Sequence, residues 1–300
     1  MLDTTAVEKL VDHLAALARS GTTVVICEHR TEALQQIPDL RTLALDGNGA
    51  CALSPKQART GPACDPAPPM ESVALEVSHL GVRLGGQTVL DDLNLRLSGG
   101  QVVAIVGRNG VGKTTLLRAL SGLQPHQGRV QAGGQHPDLA MVFQNPDMQL
   151  FNATVRDEIL YKVAEPDMVW YDWLLNALGL CEYEDTPPLL LSEGEKKRVA
   201  LAIALMRRPR HGLLLDEPAL GQDAAHKAQL MRLARALAQS GRLVLMTTHD
   251  LTLAAQADRL LLMTRAGLIA DGPPAEVLAD ADAWVRAGLI VPDWLPEALP

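Results

Sequence analysis

The sequence predicts an α/β fold, a mainly parallel sheet with helices on both faces, and three features carry that prediction. Short runs that are apolar throughout or nearly so, Gln101–Val106, Leu213–Leu215 and Leu243–Thr247, have the pattern of strands buried on both sides of a parallel sheet. Longer segments with helical spacing separate them, as strand–helix–strand crossovers require. Between the first run and the helix-forming Thr115–Leu120 lies Gly107-Arg108-Asn109-Gly110-Val111-Gly112-Lys113-Thr114, which fits G-x-x-x-x-G-K-[ST] at every fixed position.

The glycines of this loop let the backbone curl until several N–H groups converge. The helix that follows adds its positive N-terminal end, so a di- or triphosphate is the natural occupant. Lys113 is placed to reach the β- and γ-phosphates and the Thr114 hydroxyl to ligate Mg²⁺, with Thr115 in the same nucleotide-binding set. A glycine-rich turn with a chance lysine would need neither the strand before it nor the helix after it.

Three hundred residues, 47 % hydrophobic, allow one or two domains with a sizeable core. A formal net charge of −8 offers no basic surface to nucleic acid. Cys27, Cys51, Cys64 and Cys181 are scattered without metal-ligand or C-x-x-C spacing, as in the reduced thiols of a cytosolic protein. The chain opens on no basic-then-apolar leader, and no run of about 18 apolar residues could span a bilayer. Work at a membrane is therefore expected to pass through a partner.

Taken in order, Leu2–Leu17 has helical apolar spacing, Ser20-Gly21 ends it, and Thr22–Ile26 reads as a strand before Cys27-Glu28-His29-Arg30. The same order recurs from Asp223. Asp3, Ser20, Gly21 and His29 map onto Asp223, Ser240, Gly241 and His249 at one constant offset of 220. Such an internal repeat predicts that residues 1–53 are the C-terminal remnant of a domain whose whole copy follows. Residues 54–70 hold five prolines and little apolar content, the composition of a linker. A complete domain is expected over 71–283, with 284–300 a tail. Within it Val73–Val77, Leu90–Leu97, Leu139–Phe143 and Arg259–Thr264 read as further strands. Residues 154–185 read as helix in pieces, and helices open at Leu191–Glu195, running to about Met206, and at about Asp223.

Asp216 and Glu217 close an apolar strand, where open α/β sheets gather their ligands. Asp216 would hold the Mg²⁺ shell beside Thr114, and Glu217 would orient or deprotonate the water that attacks a γ-phosphate. A bare Asp-Glu pair is more often a solvated loop. About 100 residues after a phosphate loop and closing a leucine run, it is a catalytic candidate. His249 follows the strand Leu243–Thr247 and could hydrogen-bond the γ-phosphate, although a lone histidine is commonly a surface or core group. The Gln144 amide ends a strand and could touch the metal or the attacking water. Ser192 and Gly194 open a helix and form a second anion site. One phosphate has no need of two helix N-termini, so that second site is assigned to the nucleotide of a partner subunit.

Together these motifs resemble the nucleotide-binding domain of ABC transporters, over about residues 71–280 and in that family's order. They are the phosphate loop Gly107–Thr114, a glutamine loop at Gln144, the signature Leu191-Ser192-Glu193-Gly194-Glu195, the acidic strand end Asp216-Glu217, a D-loop at Ala219–Asp223 and a switch histidine, His249. The resemblance implies a P-loop fold of ABC type with an inserted helical subdomain at about 145–207. It implies ATP and Mg²⁺ as cofactors, with Thr114, Gln144 and Asp216 at the metal and Glu217, His249 and Gln144 catalytic. It also implies a second ABC ATPase domain, in a homodimer or a heterodimer, clamped head-to-tail so that ATP lies between one phosphate loop and the other signature.

The loop Gln144–Phe151, followed by Thr154–Glu158, is similar to that of the energy-coupling-factor and cobalt-type importer ATPases. That likeness implies a transmembrane coupling protein and a substrate-binding membrane protein as partners, for vitamins or for cobalt and nickel ions. The ATPase would be peripheral, at the cytoplasmic face of the cell membrane, with no nucleic-acid partner. Residues 1–53 resemble the tail of a first such domain, with Leu2-Asp3 in its D-loop and His29 as its switch histidine. That stretch has no phosphate loop and is expected to bind no ATP.

The sequence departs from the family pattern in three places. Glu193 and Glu195 stand in a signature that usually reads LSGGQ, although Ser192 and Gly194 remain. Gln222 stands where leucine is usual, and Leu84 stands where an adenine-stacking aromatic is expected; altered nucleotide affinity follows. Two other readings are open on the sequence. One is a soluble ABC switch acting on ribosomes or DNA, against which the sparse charge of the linker (Lys56, Arg59, Asp65) argues; the other is an inactive truncated relic.

Overall fold

The structure, a computed structural model, describes residues 13–20, 24, 44–46, 49–51 and 72–290. Residues 13–19 are helical, within the helix expected at Leu2–Leu17. Val24, the one described residue of the expected strand Thr22–Ile26, is in neither helix nor strand. The first part of that helix, His29, the linker 54–70 and residues 291–300 lie outside the described residues.

Ala44–Asp46 (β1) pairs antiparallel with Gly49–Cys51 (β2). In the main body Leu75–Leu84 (β3) and Gln87–Leu97 (β4) pair antiparallel around the turn Gly85-Gly86. Both turn glycines have positive φ, 54° and 84°, which a primed two-residue hairpin turn demands. Val102–Val106 (β5) runs into the phosphate loop and Lys113–Leu120 (α1). Gln127–Ala132 (β6) then pairs back onto β3, completing a three-stranded antiparallel sheet.

Leu139–Val142 (β7) is followed by the helices Val155–Leu160 (α2), Met168–Leu178 (α3) and Glu193–Met206 (α4), with α4 packed on the other two. Gly212–Asp216 (β8), Ala224–Gln239 (α5), Leu243–Thr247 (β9), Leu251–Ala254 (α6) and Arg259–Thr264 (β10) continue the alternation. Gly267–Gly272 (β11), Pro274–Ala279 (α7) and Ala281–Ala287 (α8) close it.

The main sheet has the order β11-β10-β5-β9-β8-β7, with β10 through β7 parallel and β11 antiparallel at the edge. Every residue of β5, β8 and β9 is buried, which explains their unbroken apolar runs. Alternate side chains of a strand point to opposite faces, and here they divide into two cores. Val102, Ala104, Leu213, Leu215, Val244 and Met246 pack with α4 and α5 on one face. Val103, Ile105, Leu214, Leu245 and Leu261 pack with α1 and the antiparallel sheet on the other. The expected α/β fold is therefore present, with a helix-covered, mostly parallel sheet.

Several elements differ from their expected bounds. β3 runs on to Leu84 instead of ending at Val77, because it absorbs register shifts between Val77 and Val82, with His79 at φ 52°. β6 and β11 were not legible as strands: β6 buries two of its six residues and β11 buries none, so neither carries a strong period-two signal. α8 crosses the boundary expected at 283. Its Trp284 is 2 % exposed and donates its indole N–H to Val277 O at 2.7 Å, so the start of the supposed tail belongs to the core.

Leu214, fully buried in β8, gives a direct test of the middle layer. Leu214→Ala should lower stability in urea unfolding by about 2–5 kcal/mol. Leu189→Ala, at a position 65 % exposed, should change it by less than about 0.5 kcal/mol.

Candidate functional site

The phosphate loop takes its shape from glycine. Gly110 and Gly112 have φ of 78° and 108°, a region costly to residues with a Cβ. A Cβ at Gly107 would sit 2.3 Å from Met263 O, against the adjacent strand β10. Lys113, 7 % exposed, turns its ammonium back into the loop and donates to Gly107 O at 2.5 Å and Arg108 O at 3.1 Å. Its Nζ also lies 3.3 Å from His249 Nε2. Burial pushes the Lys113 ammonium below its ordinary value, while the Glu217 and Asp216 carboxylates raise it.

Asp216 ends β8 at 3 % exposure. Its carboxylate accepts from Thr114 Oγ1 at 2.9 and 3.1 Å and from Thr247 Oγ1 at 2.7 Å. Glu217 follows with φ 50°, left-handed backbone that costs a non-glycine residue about 1–3 kcal/mol. The conformation is held by Glu217 N, which donates to Thr247 O at 3.2 Å and Thr247 Oγ1 at 3.1 Å. One Glu217 oxygen accepts from His249 N at 3.3 Å. The other lies 3.2 Å from His249 Nε2, an ion-pair distance, but is buried without an aligned hydrogen bond. Burial pushes the Glu217 carboxyl up to about 7, with Lys113 the main opposing influence.

These groups share one open cleft of about 360 Å³ at the carboxyl ends of β5, β8 and β9. Asn109, Gly110, Gly112, Lys113, Thr114 and Thr115 line its floor, and Asp216, Glu217, His249 and Gln144 line its walls. Gln144 also faces a neighbouring cavity of about 510 Å³ that shares Thr114 and Asp216. Gly107 and Val111 lie beneath the loop instead of lining the cleft. The Arg108 side chain turns toward α8, where a Cβ on Gly288 would be 3.2 Å from its guanidinium.

Ser192 and Gly194 do not line this cleft. Ser192 caps α4, accepting from Glu195 N at 3.4 Å, while Glu195 Oε2 accepts from Ser192 N at 2.8 Å. Leu84 is 42 % exposed at the end of β3 and is absent from the cleft wall, where Val89 of β4 supplies apolar surface. The residue that sequence reasoning missed is Thr247, fully buried and bonded to both acidic residues. Its only signal was a hydroxyl closing an otherwise apolar strand.

Hydroxyl, carboxylate and amide oxygens from Thr114, Asp216 and Gln144 suit a hard cation such as Mg²⁺, which takes few protein ligands and completes its shell with water and phosphate. A glycine-shaped loop leading into a helix, a buried lysine, the Thr114–Asp216 pair and Glu217 beside it in one cleft define the class, a P-loop nucleoside triphosphatase.

Comparison with known proteins narrows this. A family profile described as ABC transporter matches residues 90–220. The cobalt import ATP-binding protein CbiO of Rhodobacter capsulatus is 39 % identical over 69 % of this chain and 81 % of its own length. A Bacillus subtilis protein named for HMP/thiamine import, YkoD, is 36 % identical over 76 % of this chain; the chain spans 45 % of its length. The solved structure of cbiO1 from Clostridium perfringens, part of the transporter complex cbiONQ, aligns with TM-score 0.62 and 29 % identity, over 73 % of this chain and 95 % of that one. The chain belongs to the ATP-binding proteins of ABC transporters, in the energy-coupling-factor and cobalt-import group.

The raised pKa of Glu217 has a consequence for stability. The neutral acid is favoured by folding, so its contribution is fully present below the ordinary value of 4.5 and lost as pH rises through about 7. Without nucleotide, the melting temperature of Glu217→Gln should match that of the parent near pH 4.5 and exceed it increasingly toward pH 7.5. A gap that stays constant across this range would show that Glu217 does not titrate there.

Proposed function

We propose that this chain is the ATP-binding and ATP-hydrolysing subunit of an energy-coupling-factor-type importer. It would drive uptake of a vitamin or a transition-metal ion through membrane partner subunits. The observation that carries the reading is the single cleft in which Lys113, Thr114, Asp216, Glu217 and His249 meet. The triphosphate would occupy the cleft over Asn109, Gly110 and Gly112–Thr115, with the loop N–H groups and Lys113 on its β- and γ-phosphates. Thr114, Asp216 and Gln144 would hold Mg²⁺, which when bound would supply positive charge to the phosphates. Glu217 accepts a proton from the attacking water as the bond from the γ-phosphorus to the ADP oxygen breaks, and His249 hydrogen-bonds the γ-phosphate.

Ser192 and Gly194 serve the nucleotide of a second ABC domain, in a homodimer or heterodimer. Neither residue lines this cleft, which supports that assignment. The import reading draws on relatives named for cobalt import and HMP/thiamine import. No helix among the described residues is long and apolar enough to cross a membrane. The reading accordingly assigns the substrate path to a transmembrane coupling protein and a substrate-binding membrane protein, with this chain peripheral at the cytoplasmic face.

Residues 1–53 are read as the end of a first ABC domain, 54–70 as a linker, and 71–283 as the complete domain, here extended through α8. YkoD, more than twice as long as the stretch it shares with this chain, is consistent with such a tandem arrangement.

Two variants test the catalytic reading. Lys113→Ala should abolish measurable ATP binding. Glu217→Gln should bind ATP normally yet release phosphate at least about 100-fold more slowly. Hydrolysis retained by Glu217→Gln would remove Glu217 from the mechanism.

A further inference from the structure

The acidic residue Glu193, which interrupts the usual signature, has a definite place in the structure. It begins α4, and four residues on, Lys197 is buried at 5 % exposure. Lys197 Nζ donates to Leu220 O, in the loop that follows the acidic pair, at 2.5 Å, and lies 3.6 Å from Glu193 Oε1. The Glu193 carboxylate also faces that loop, lying 3.9 Å from where a Cβ on Gly221 would be. Leu220 N donates to Glu217 O at 3.3 Å, and Gln222 N to Ala219 O at 3.2 Å. A continuous chain of contacts thus runs from the signature, through Lys197 and the loop backbone, to the strained peptide of Glu217.

We infer that Glu193 is a positioning residue: with Lys197 it clamps the Ala219–Asp223 loop, so that the signature helix and the Glu217 peptide move as one unit. Burial pushes the Lys197 ammonium below its ordinary value, and the Glu193 carboxylate counters this. Glutamate four residues before lysine, at the N-terminal end of a helix, is the favourable orientation for such a pair. With glycine at 193, the common residue of the signature, Lys197 would keep the Leu220 carbonyl and the more distant influence of the Glu217 carboxylate but lose its ion-pair partner. The clamp therefore gives a structural role to one of the two departures from the signature. Leu220, whose carbonyl the clamp holds, also donates its own N–H to the Glu217 carbonyl, next to the left-handed turn.

The inference rests on the reading of Glu217 as the catalytic carboxylate, so its test pairs turnover with a readout independent of turnover. In the full chain, steady-state ATP hydrolysis, affinity for a fluorescent ATP analogue and amide hydrogen exchange over 217–223 are measured for Glu193→Gln, Lys197→Met and the double variant. Glu193, 65 % exposed at its side chain, tolerates the change without loss of fold. Glu193→Gln should lower kcat about five- to tenfold, leave KM and nucleotide affinity within about twofold, and speed exchange at the Leu220 and Gln222 amides.

The double variant should be no worse than Lys197→Met alone, as members of one clamp are non-additive. If Lys197→Met does not fold, Lys197→Arg, which keeps the donor and the charge, should retain parental exchange where Glu193→Gln does not. Unchanged exchange in Glu193→Gln, multiplicative effects in the double variant, or a loss expressed in KM alone would overturn the clamp. Faster exchange in a protein whose parent hydrolyses no ATP would uphold the clamp and reject the proposed ATPase reading instead.

Discussion

The hydrogen bonds that Thr114 and Thr247 donate to Asp216 tie together α1, β8 and β9 at one point, and the geometry of the cleft depends on them. A carboxylate at 3 % exposure is expensive unless its oxygens are satisfied and a cation stands near. Both conditions are met only when the three elements are in register. The parallel order β5-β9-β8 supplies that register, because strands running the same way bring their carboxyl ends to one edge. Thr247 then does double duty: its hydroxyl donates to Asp216 and accepts from the Glu217 amide. The aspartate and the neighbouring backbone are thereby fixed by one buried side chain.

The charges in this cleft are balanced against burial. Lys113, Asp216 and Glu217 are all buried, and burial works against every ionised form. The Lys113 ammonium is pushed down and the Glu217 carboxyl up to about 7, while each group supports the other's charge. A carboxyl with a pKa near neutral is well matched to proton transfer at physiological pH. The left-handed backbone at Glu217 belongs to the same arrangement. Its cost is borne by hydrogen bonds from β9 and from the loop at 219–222.

The helix α4 stands apart from this cleft yet is bound to it. Its N-terminus carries a complete capping box between Ser192 and Glu195, a device that satisfies two backbone donors and fixes the entry of the chain into the helix. From its second turn Lys197 reaches across to the loop after Glu217. Lys196 on the same helix pairs with Asp147, beyond Gln144, at 2.9 Å. The signature helix is thus attached to segments on two sides of the nucleotide cleft.

Much of this was legible in the chain. The phosphate loop, the leucine strand ending in Asp216-Glu217 and the signature helix each depend on residues close in sequence, where backbone propensity and burial leave a local pattern. The sequence by itself therefore determined the parallel sheet and the identities of the cleft-lining residues Asn109, Gly110 and Gly112–Thr115, with Gln144, Asp216, Glu217 and His249. Only the tertiary structure decided that β6 and β11 are strands, since neither alternates clearly between buried and exposed residues. It decided too that Thr247 holds the acidic pair, that Val89 and not Leu84 faces the cleft, and that Glu193 meets the loop at Gly221. Those are contacts between residues tens to more than a hundred positions apart, and nothing in the local sequence encodes which distant side chain will come to lie alongside.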